Sequence, residues 1–493
     1  MATWEPSDDD VERVFSEQNP WHLGGGVPDV LAPPSERPLA QHLWRHVMSD
    51  EPRRFHVVLG PRRVGKTTAM YQTVRHLLNN GMSPGRLWWL RLDHPILLNV
   101  PLGTLVRLIV NVTKAESGKE VVLLLDELVY AKDWQLWLKT FYDDRWPVRI
   151  LATSSATVAL RSERRESGVG RWTEHFMLPY SFSEYLDLVG EDGAEQIEVL
   201  GHLGATLQKM PAVADIDGKA LAGRRRRFLL TGGFPELLNA SPADDPAVSS
   251  DEGQLLRSQM VLRNDSVERA IYKDIPQSFG ISNPMVLERL LYSLAGQFTG
   301  VLSPASVCRE LEMSQPTFDK YLNLLEQAYL VFRLTNYSGN ESSIQKRGRK
   351  LYFFDGAVRN AALQRGTGPL SNSSEMGMLQ ENMAAAALNA LGIQTEVRVH
   401  YWRDISKREV DLIYNHPTEP IAFELASGNA HSLAGLRAFQ AAYPKFKNRC
   451  YLVAPDLPLS HPSQSKEGVG RISLDRFLMA VGRQSGVALQ SRV

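Results

Sequence analysis

Nine residues constrain this chain more than any others: Gly60-Pro61-Arg62-Arg63-Val64-Gly65-Lys66-Thr67-Thr68 fit G-x-x-x-x-G-K-[ST] without exception. The apolar run Phe55 to Leu59 leads in as a buried strand. Lys66 to Leu78 leads out as a helix, with Met70, Val74 and Leu77 on one face. A strand, a glycine-bearing turn and a helix in that order aim successive backbone N–H groups at one point, at the positive end of the helix. Such a cradle takes phosphate oxygens. Gly60, Pro61, Arg62, Arg63, Val64, Gly65, Lys66, Thr67 and Thr68 are therefore the expected nucleotide-binding residues. Lys66 reaches the β- and γ-phosphates and the Thr67 hydroxyl ligates Mg²⁺, so ATP and Mg²⁺ are the expected cofactors.

Composition sets the surroundings. With 493 residues the chain is too long for one core and is expected to hold about three domains. A hydrophobic content of 43% and a charged content of 22% belong to a globular protein. The formal net charge is zero, so any affinity for nucleic acid has to come from local patches. No apolar run approaches the roughly 18 residues needed to span a bilayer, so no membrane partner is expected. Cys308 and Cys450 are the two cysteines; they support neither a disulfide framework nor a thiolate zinc site, which fits a cytoplasmic location.

Further strands follow the loop. Leu87 to Leu92 is one. Val121 to Leu125 is another, and it runs directly into Asp126-Glu127. A buried carboxylate pair at a strand end is costly without a task. Beside a phosphate loop the first acid holds the Mg²⁺ shell and the second, Glu127, serves as base toward water. Val148 to Ala152 ends in Thr153-Ser154-Ser155, where Ser154 or Ser155 can sense the γ-phosphate. A helix with core tryptophans is expected between these strands, over Asp133 to Leu138. A fifth strand is read at His175 to Leu178. Arg171, on a glycine-rich segment before it, is either an arginine finger or a surface arginine.

With these residues assembled, the chain resembles a bacterial and archaeal AAA-type ATPase family whose P-loop domain is followed by a region called DUF4143. The matching text is Asn19-Pro20-Trp21, Gly60 to Thr68, Leu125-Asp126-Glu127, Thr153-Ser154-Ser155 and Gly170-Arg171. It continues through Pro179-Tyr180-Ser181-Phe182-Ser183-Glu184-Tyr185 and Gly232-Gly233-Phe234-Pro235-Glu236. The similarity runs from about residue 19 to about residue 425. It implies a parallel sheet in which the sensor strand lies between the P-loop strand and the acidic strand.

The middle of the chain reads as helical over 182 to 275. Arg224-Arg225-Arg226-Arg227 there either meets phosphates or forms a solvated face, the latter being favoured. From Ser303 two short helices are expected, the second over Gln315 to Ala328. The β-rich runs Tyr329 to Leu334 and Leu351 to Phe354 follow, with a basic stretch between them. Two helices and a hairpin with a basic tip describe a winged helix-turn-helix. DNA contact is expected mainly through Lys346, Arg347, Arg349 and Lys350, and a protein partner is the alternative.

Beyond a polar hinge at Gln364 to Ser374, an alanine-rich helix carries Glu381. Strands are read at Thr395 to Val399, at Glu409 to Tyr414 with Asp411, and at Ile421 to Ala426 with Glu424. Helix-acid, strand-acid, strand-acid is similar to the restriction-endonuclease-like core, and the resemblance implies a second Mg²⁺ site at Glu381, Asp411 and Glu424. This sequence departs from that pattern at its third motif. Acid-x-Lys is replaced by Glu424-Leu425-Ala426, and alanine can neither donate a proton nor stabilise charge.

The expected fold class is α/β. A P-loop NTPase parallel sheet flanked by helices fills 1–190, a helical connector 191–300 and a winged helix 301–363. A small α/β domain of degenerate PD-(D/E)XK nuclease type fills 375–493. The expected function is an Mg²⁺–ATP-binding and hydrolysing switch that couples nucleotide state to DNA or a partner. An ATP-regulated metal-dependent DNA endonuclease and a non-hydrolysing ATP-bound scaffold are the alternatives. Oligomers are compatible with either placement of Arg171, in its own site or a neighbour's.

Overall fold

The computed structural model describes residues 6–155, 170–190, 197–210, 218–238, 251–340, 348–428 and 431–490. They form two compact units, one within 6–177 and the other within 178–490.

The first unit is built on five parallel strands: β1 (Phe55–Leu59), β2 (Leu87–Arg91), β3 (Val121–Asp126), β4 (Val148–Ser154) and β5 (Trp172–Phe176). Their order is β2-β3-β4-β1-β5. Every residue of β1, β3 and β4 is buried. That is the signature of a parallel sheet covered on both faces, and it explains the continuous apolar runs. β4 lies between β1 and β3, with Leu59 opposite Ser154 and Leu125 opposite Ala152. The strand order implied by the family resemblance is therefore present. β5 starts earlier than the sequence suggested: the N–H of Phe55 donates to the carbonyl of Arg171 at 3.0 Å, and pairing is under way by Trp172.

Asn19-Pro20-Trp21 has a structural task. The Asn19 side chain accepts from the Trp89 N–H at 2.6 Å and donates to the Trp89 carbonyl at 3.1 Å, while Trp21 Nε1 donates to Leu87 at 3.0 Å. These bonds satisfy the outer face of β2, a strand at the sheet's edge.

The second unit contains a seven-stranded mixed sheet. Its strands are β6 (Val331–Asn336), β7 (Arg349–Phe353), β8 (Val399–Arg403), β9 (Glu409–Tyr414), β10 (Ile421–Leu425), β11 (Cys450–Ala454) and β12 (Val469–Ser473). The order is β12-β11-β10-β9-β8-β6-β7. Here the structure departs from the sequence reading. The expected wing hairpin, β6 and β7, is not a separate domain's edge: β6 pairs in parallel with β8, Thr335 opposite His400 and Asn336 opposite Tyr401. The two helices before it are present, Pro304–Glu310 and Gln315–Gln327, the second capped by Ser314 Oγ accepting from the Thr317 N–H at 3.3 Å. The acid-bearing helix spans Ser373–Thr395 and stops where Glu396 turns left-handed at φ 57°. The strand read at Thr395 therefore begins only at Val399.

Gly232-Gly233-Phe234 is pinned in this unit. The Gly233 carbonyl accepts from the Tyr180 N–H at 2.7 Å, and the Gly233 N–H donates to Asp355 Oδ2 at 2.7 Å. A Cβ on Gly233 would stand 2.6 Å from the Tyr180 carbonyl oxygen, so the second glycine is a packing requirement. Of the four arginines at 224–227, Arg226 is exposed, but Arg225 is buried and pairs with buried Asp475 at 2.5 Å. The tract is not a uniformly solvated face.

Candidate functional site

The phosphate loop sits where β1 hands over to the helix Lys66–Asn79. Gly65 (φ 93°) and Arg63 (φ 66°) take the left-handed conformation that curls the loop. Gly60 is held against the end of β5: a Cβ there would stand 1.9 Å from the Met177 carbonyl oxygen. Lys66 is buried, and its ammonium donates to the carbonyls of Gly60 at 2.9 Å and Pro61 at 2.7 Å. The cationic group thus lies inside the curl of the loop. Arg37 Nη1 donates to the Val64 carbonyl at 3.1 Å and steadies the loop from outside.

The acid pair is wired to this loop. Thr67 Oγ1 donates to Asp126 at 3.2 Å, which brings the two expected Mg²⁺ ligands together. Thr153 Oγ1 donates to Asp126 Oδ1 at 2.5 Å and accepts from the Glu127 N–H at 3.0 Å. Ser155 Oγ donates to Glu127 Oε2 at 3.1 Å, and Arg62 Nη1 stands 3.8 Å from Glu127 Oε1. Burial pushes the Asp126 carboxyl up to about 6; Thr153 opposes the shift, Glu127 adds to it, and Lys66 and Thr67 oppose it. A buried carboxylate held near a hydroxyl, with charge not fully compensated, suits a divalent cation. The donor set of Thr67 and Asp126 fits Mg²⁺.

Sequence reasoning missed the part played by Thr153. Ser154 is buried at the level of Leu59, and Ser155 touches the base, but it is Thr153 that orients both acids. The signal is the neighbourhood of β3 and β4: with Leu125 opposite Ala152, the next residues along are Asp126 and Thr153. Arg171 is not brought to the loop. It precedes β5, at the Phe55 end of β1, and makes a two-bond pair with Asp143 at 2.7 and 2.9 Å.

In the second unit Glu381 and Asp411 do converge. Between them lies Lys350, 3.0 Å from Glu381 Oε1 and 3.0 Å from Asp411 Oδ1, and paired also with Glu409. Tyr352 OH donates to Glu381 at 2.8 Å, and the Leu425 N–H donates to Asp411 at 2.9 Å. Glu424 lies next to His431 at 3.2 Å. A cavity of about 590 Å³ beside them is lined by Glu381, Ala426 and His431 among others. This corrects one expectation. Lys350, 3% exposed, is not a wing-tip contact for DNA phosphates, because β7 turns it into the sheet's interior. Lys346 and Arg347 lie outside the described residues, and Arg349 is half-buried.

Among the described residues no group of three or more His, Cys, Asp or Glu side chains is arranged to hold a metal, and no helix is long and apolar enough to cross a membrane.

Three family models match parts of the chain. The family described as AAA domain matches residues 52–186, DUF8612 matches 223–368 and DUF4143 matches 376–461, the last two being domains of unknown function. An uncharacterised protein of Methanocaldococcus jannaschii is 24% identical over 390 residues, 78% of each chain. One from Haemophilus influenzae is 22% identical over 398 residues, 79% of this chain and 87% of that one. Among solved structures, the Aeropyrum pernix ORC1 protein in complex with DNA is similar at 14% identity, over 72% of this chain and 98% of that one, with a TM-score of 0.31. Caenorhabditis elegans PCH-2 is similar at 16% identity, over 59% and 66%, with a TM-score of 0.25. The P-loop sheet with its wired acid pair thus carries an AAA domain, and a DUF4143 region follows it in the same chain.

Proposed function

We propose that the protein is an Mg²⁺–ATP-driven switch, in which the first unit binds and hydrolyses ATP and the second presents a helix-turn-helix and a nuclease-like sheet to nucleic acid or a protein. The observation that carries this reading is the bond network from Thr67 through Asp126, Thr153 and Glu127 to Ser155, closed by Arg62. A purely structural acid pair has no need of four hydroxyl and backbone contacts that fix the direction of both carboxylates.

The roles follow from position. Backbone N–H groups from Arg62 to Thr68 bind phosphate oxygens, and Lys66, already inside the loop, turns its donors from the carbonyls of Gly60 and Pro61 to phosphate. Thr67 and Asp126 would hold Mg²⁺, which supplies charge neutralisation on the phosphates. Glu127, aimed by Ser155 and Arg62, takes the proton of the attacking water. Arg171, at the opposite end of the sheet and held by Asp143, takes no part at its own chain's phosphate loop. Support for a nucleic-acid partner comes from the helix pair Pro304–Glu310 and Gln315–Gln327.

The test is Glu127→Gln. Phosphate release should fall by about 10²–10⁴-fold, the usual effect of losing a general base, while MgATP still binds by calorimetry. Unchanged turnover would remove Glu127 from the mechanism.

A further inference from the structure

We infer that the ammonium of Lys350 stands in for a divalent cation in the second unit, so that its nuclease-like acid cluster is neutralised from within and takes no metal. The family resemblance implies Mg²⁺ at Glu381, Asp411 and Glu424, and the residues present do not fit it. Lys350 is 3% exposed and its Nζ is 3.0 Å from a carboxylate oxygen of both Glu381 and Asp411. Mg²⁺ sits about 2.0–2.1 Å from its oxygens. An ion placed on the same two oxygens would share their cleft with a buried ammonium, two like charges with little solvent between them.

The count of donors decides between a plug and a catalytic lysine. An ammonium has three N–H donors. Here three carboxylates surround it: Glu381, Glu409 and Asp411. None is left to orient or activate a water. Tyr352 adds a fourth anchor by donating to Glu381 at 2.8 Å, and the Tyr401 ring lies 5.9 Å from the ammonium. Three carboxylates at salt-bridge distance around one amine hold the group as an ammonium.

The source of the lysine strengthens the inference. Position 426, where the nuclease pattern expects a lysine, is alanine and lines the adjacent cavity. Lys350 comes instead from β7, opposite Leu334 of β6, at the far edge of the same sheet. The hairpin that the sequence suggests as a free wing is thus fastened to the sheet by its own cation. Asp411 is further committed by the Leu425 N–H at 2.9 Å.

The test uses the full chain carrying Asp126→Asn, which silences the P-loop metal site, with Mn²⁺ as probe. In that background no Mn²⁺ should bind by calorimetry, and melting should be insensitive to 1 mM ion, a concentration of the order that fills weak oxygen-donor sites. Adding Lys350→Met should lower Tm by roughly 5–10 °C, the effect of stranding buried carboxylates. Mn²⁺ should restore it, with one ion bound per chain, and Asp411→Asn should abolish that binding. Lys350→Gln, which keeps hydrogen-bond donors, is the second arm should the methionine variant not fold; it too should acquire Mn²⁺. Stoichiometric Mn²⁺ binding to the lysine-containing chain, lost with Asp411→Asn, would overturn the inference. So would Mn²⁺-dependent plasmid cleavage that Lys350→Met destroys, or a folded lysine variant that takes no ion.

Discussion

Gly60→Ala should damage both stability and nucleotide binding, and its size can be worked out from one contact. The new Cβ would lie 1.9 Å from the Met177 carbonyl oxygen and 2.9 Å from its carbon, where ordinary contact begins at 3.4 Å. Loop and strand must therefore separate by about 1.5 Å in a close-packed site. Both partners are backbone, so no side chain can swing away. The bond most exposed to that shift is the Met177 N–H to the Leu59 carbonyl, 2.7 Å long. Leaving a buried donor unpaired costs about 1–3 kcal/mol, and forced overpacking costs a similar amount. A loss of about 2–6 kcal/mol in urea unfolding is expected. Because misplacing a binding group by 1 Å typically costs on the order of 10²-fold, calorimetry should show MgATP affinity reduced by about that factor. Gly26→Ala is the control, since nothing lies within 4 Å of its added methyl. A Gly60→Ala protein that binds MgATP and melts as the wild type does would refute the reasoning that loop shape depends on this contact.

Further outcomes follow from buried charges in the second unit. Arg225→Met should cost about 3–5 kcal/mol by stranding Asp475, whereas Arg225→Met with Asp475→Leu should recover most of that loss; a double variant as unstable as the single one contradicts the account. Asp355 caps the helix Gly356–Ala362, and burial, only partly offset by the Gly233 and Ala357 N–H groups, pushes its carboxyl up to about 6 from 3.8. Its folded pKa lies above its unfolded one, so its favourable contribution is whole below pH 4 and lost as pH rises through 6. Compared with Asp355→Asn, the wild type should lose about 2–3 kcal/mol between pH 4 and pH 7. A stability gap independent of pH would exclude that titration.

What the sequence made legible follows from how each element is buried. Strands β1 to β4 are apolar nearly throughout because helices cover both faces, so their runs could be read within about a residue or two. In β5 Thr173 and Glu174 are only half-buried, and the mixed text displaced the reading toward Leu178. β11 and β12 went unread. In the site, Lys66, Thr67, Asp126 and Glu127 announce themselves by local spacing, whereas Thr153 gains its role only from a strand neighbour. Lys350 was hidden by its company. The basic run 346–350 has one sign of charge throughout, yet β7 begins at Arg349, and from there side chains alternate between faces. Lys350 to Phe353 are buried on both faces of β7, so burial of the strand excludes solvent and alternation sets Lys350 on the same face as Tyr352, beside Glu381.

The parallel pairing of β6 with β8 makes one plate out of what the text presents as two readers in tandem. The helix Gln315–Gln327 feeds directly into that plate through β6. Whatever load falls on that helix is therefore passed through β6 straight to its hydrogen-bonded neighbour β8, with no linker between them to absorb it.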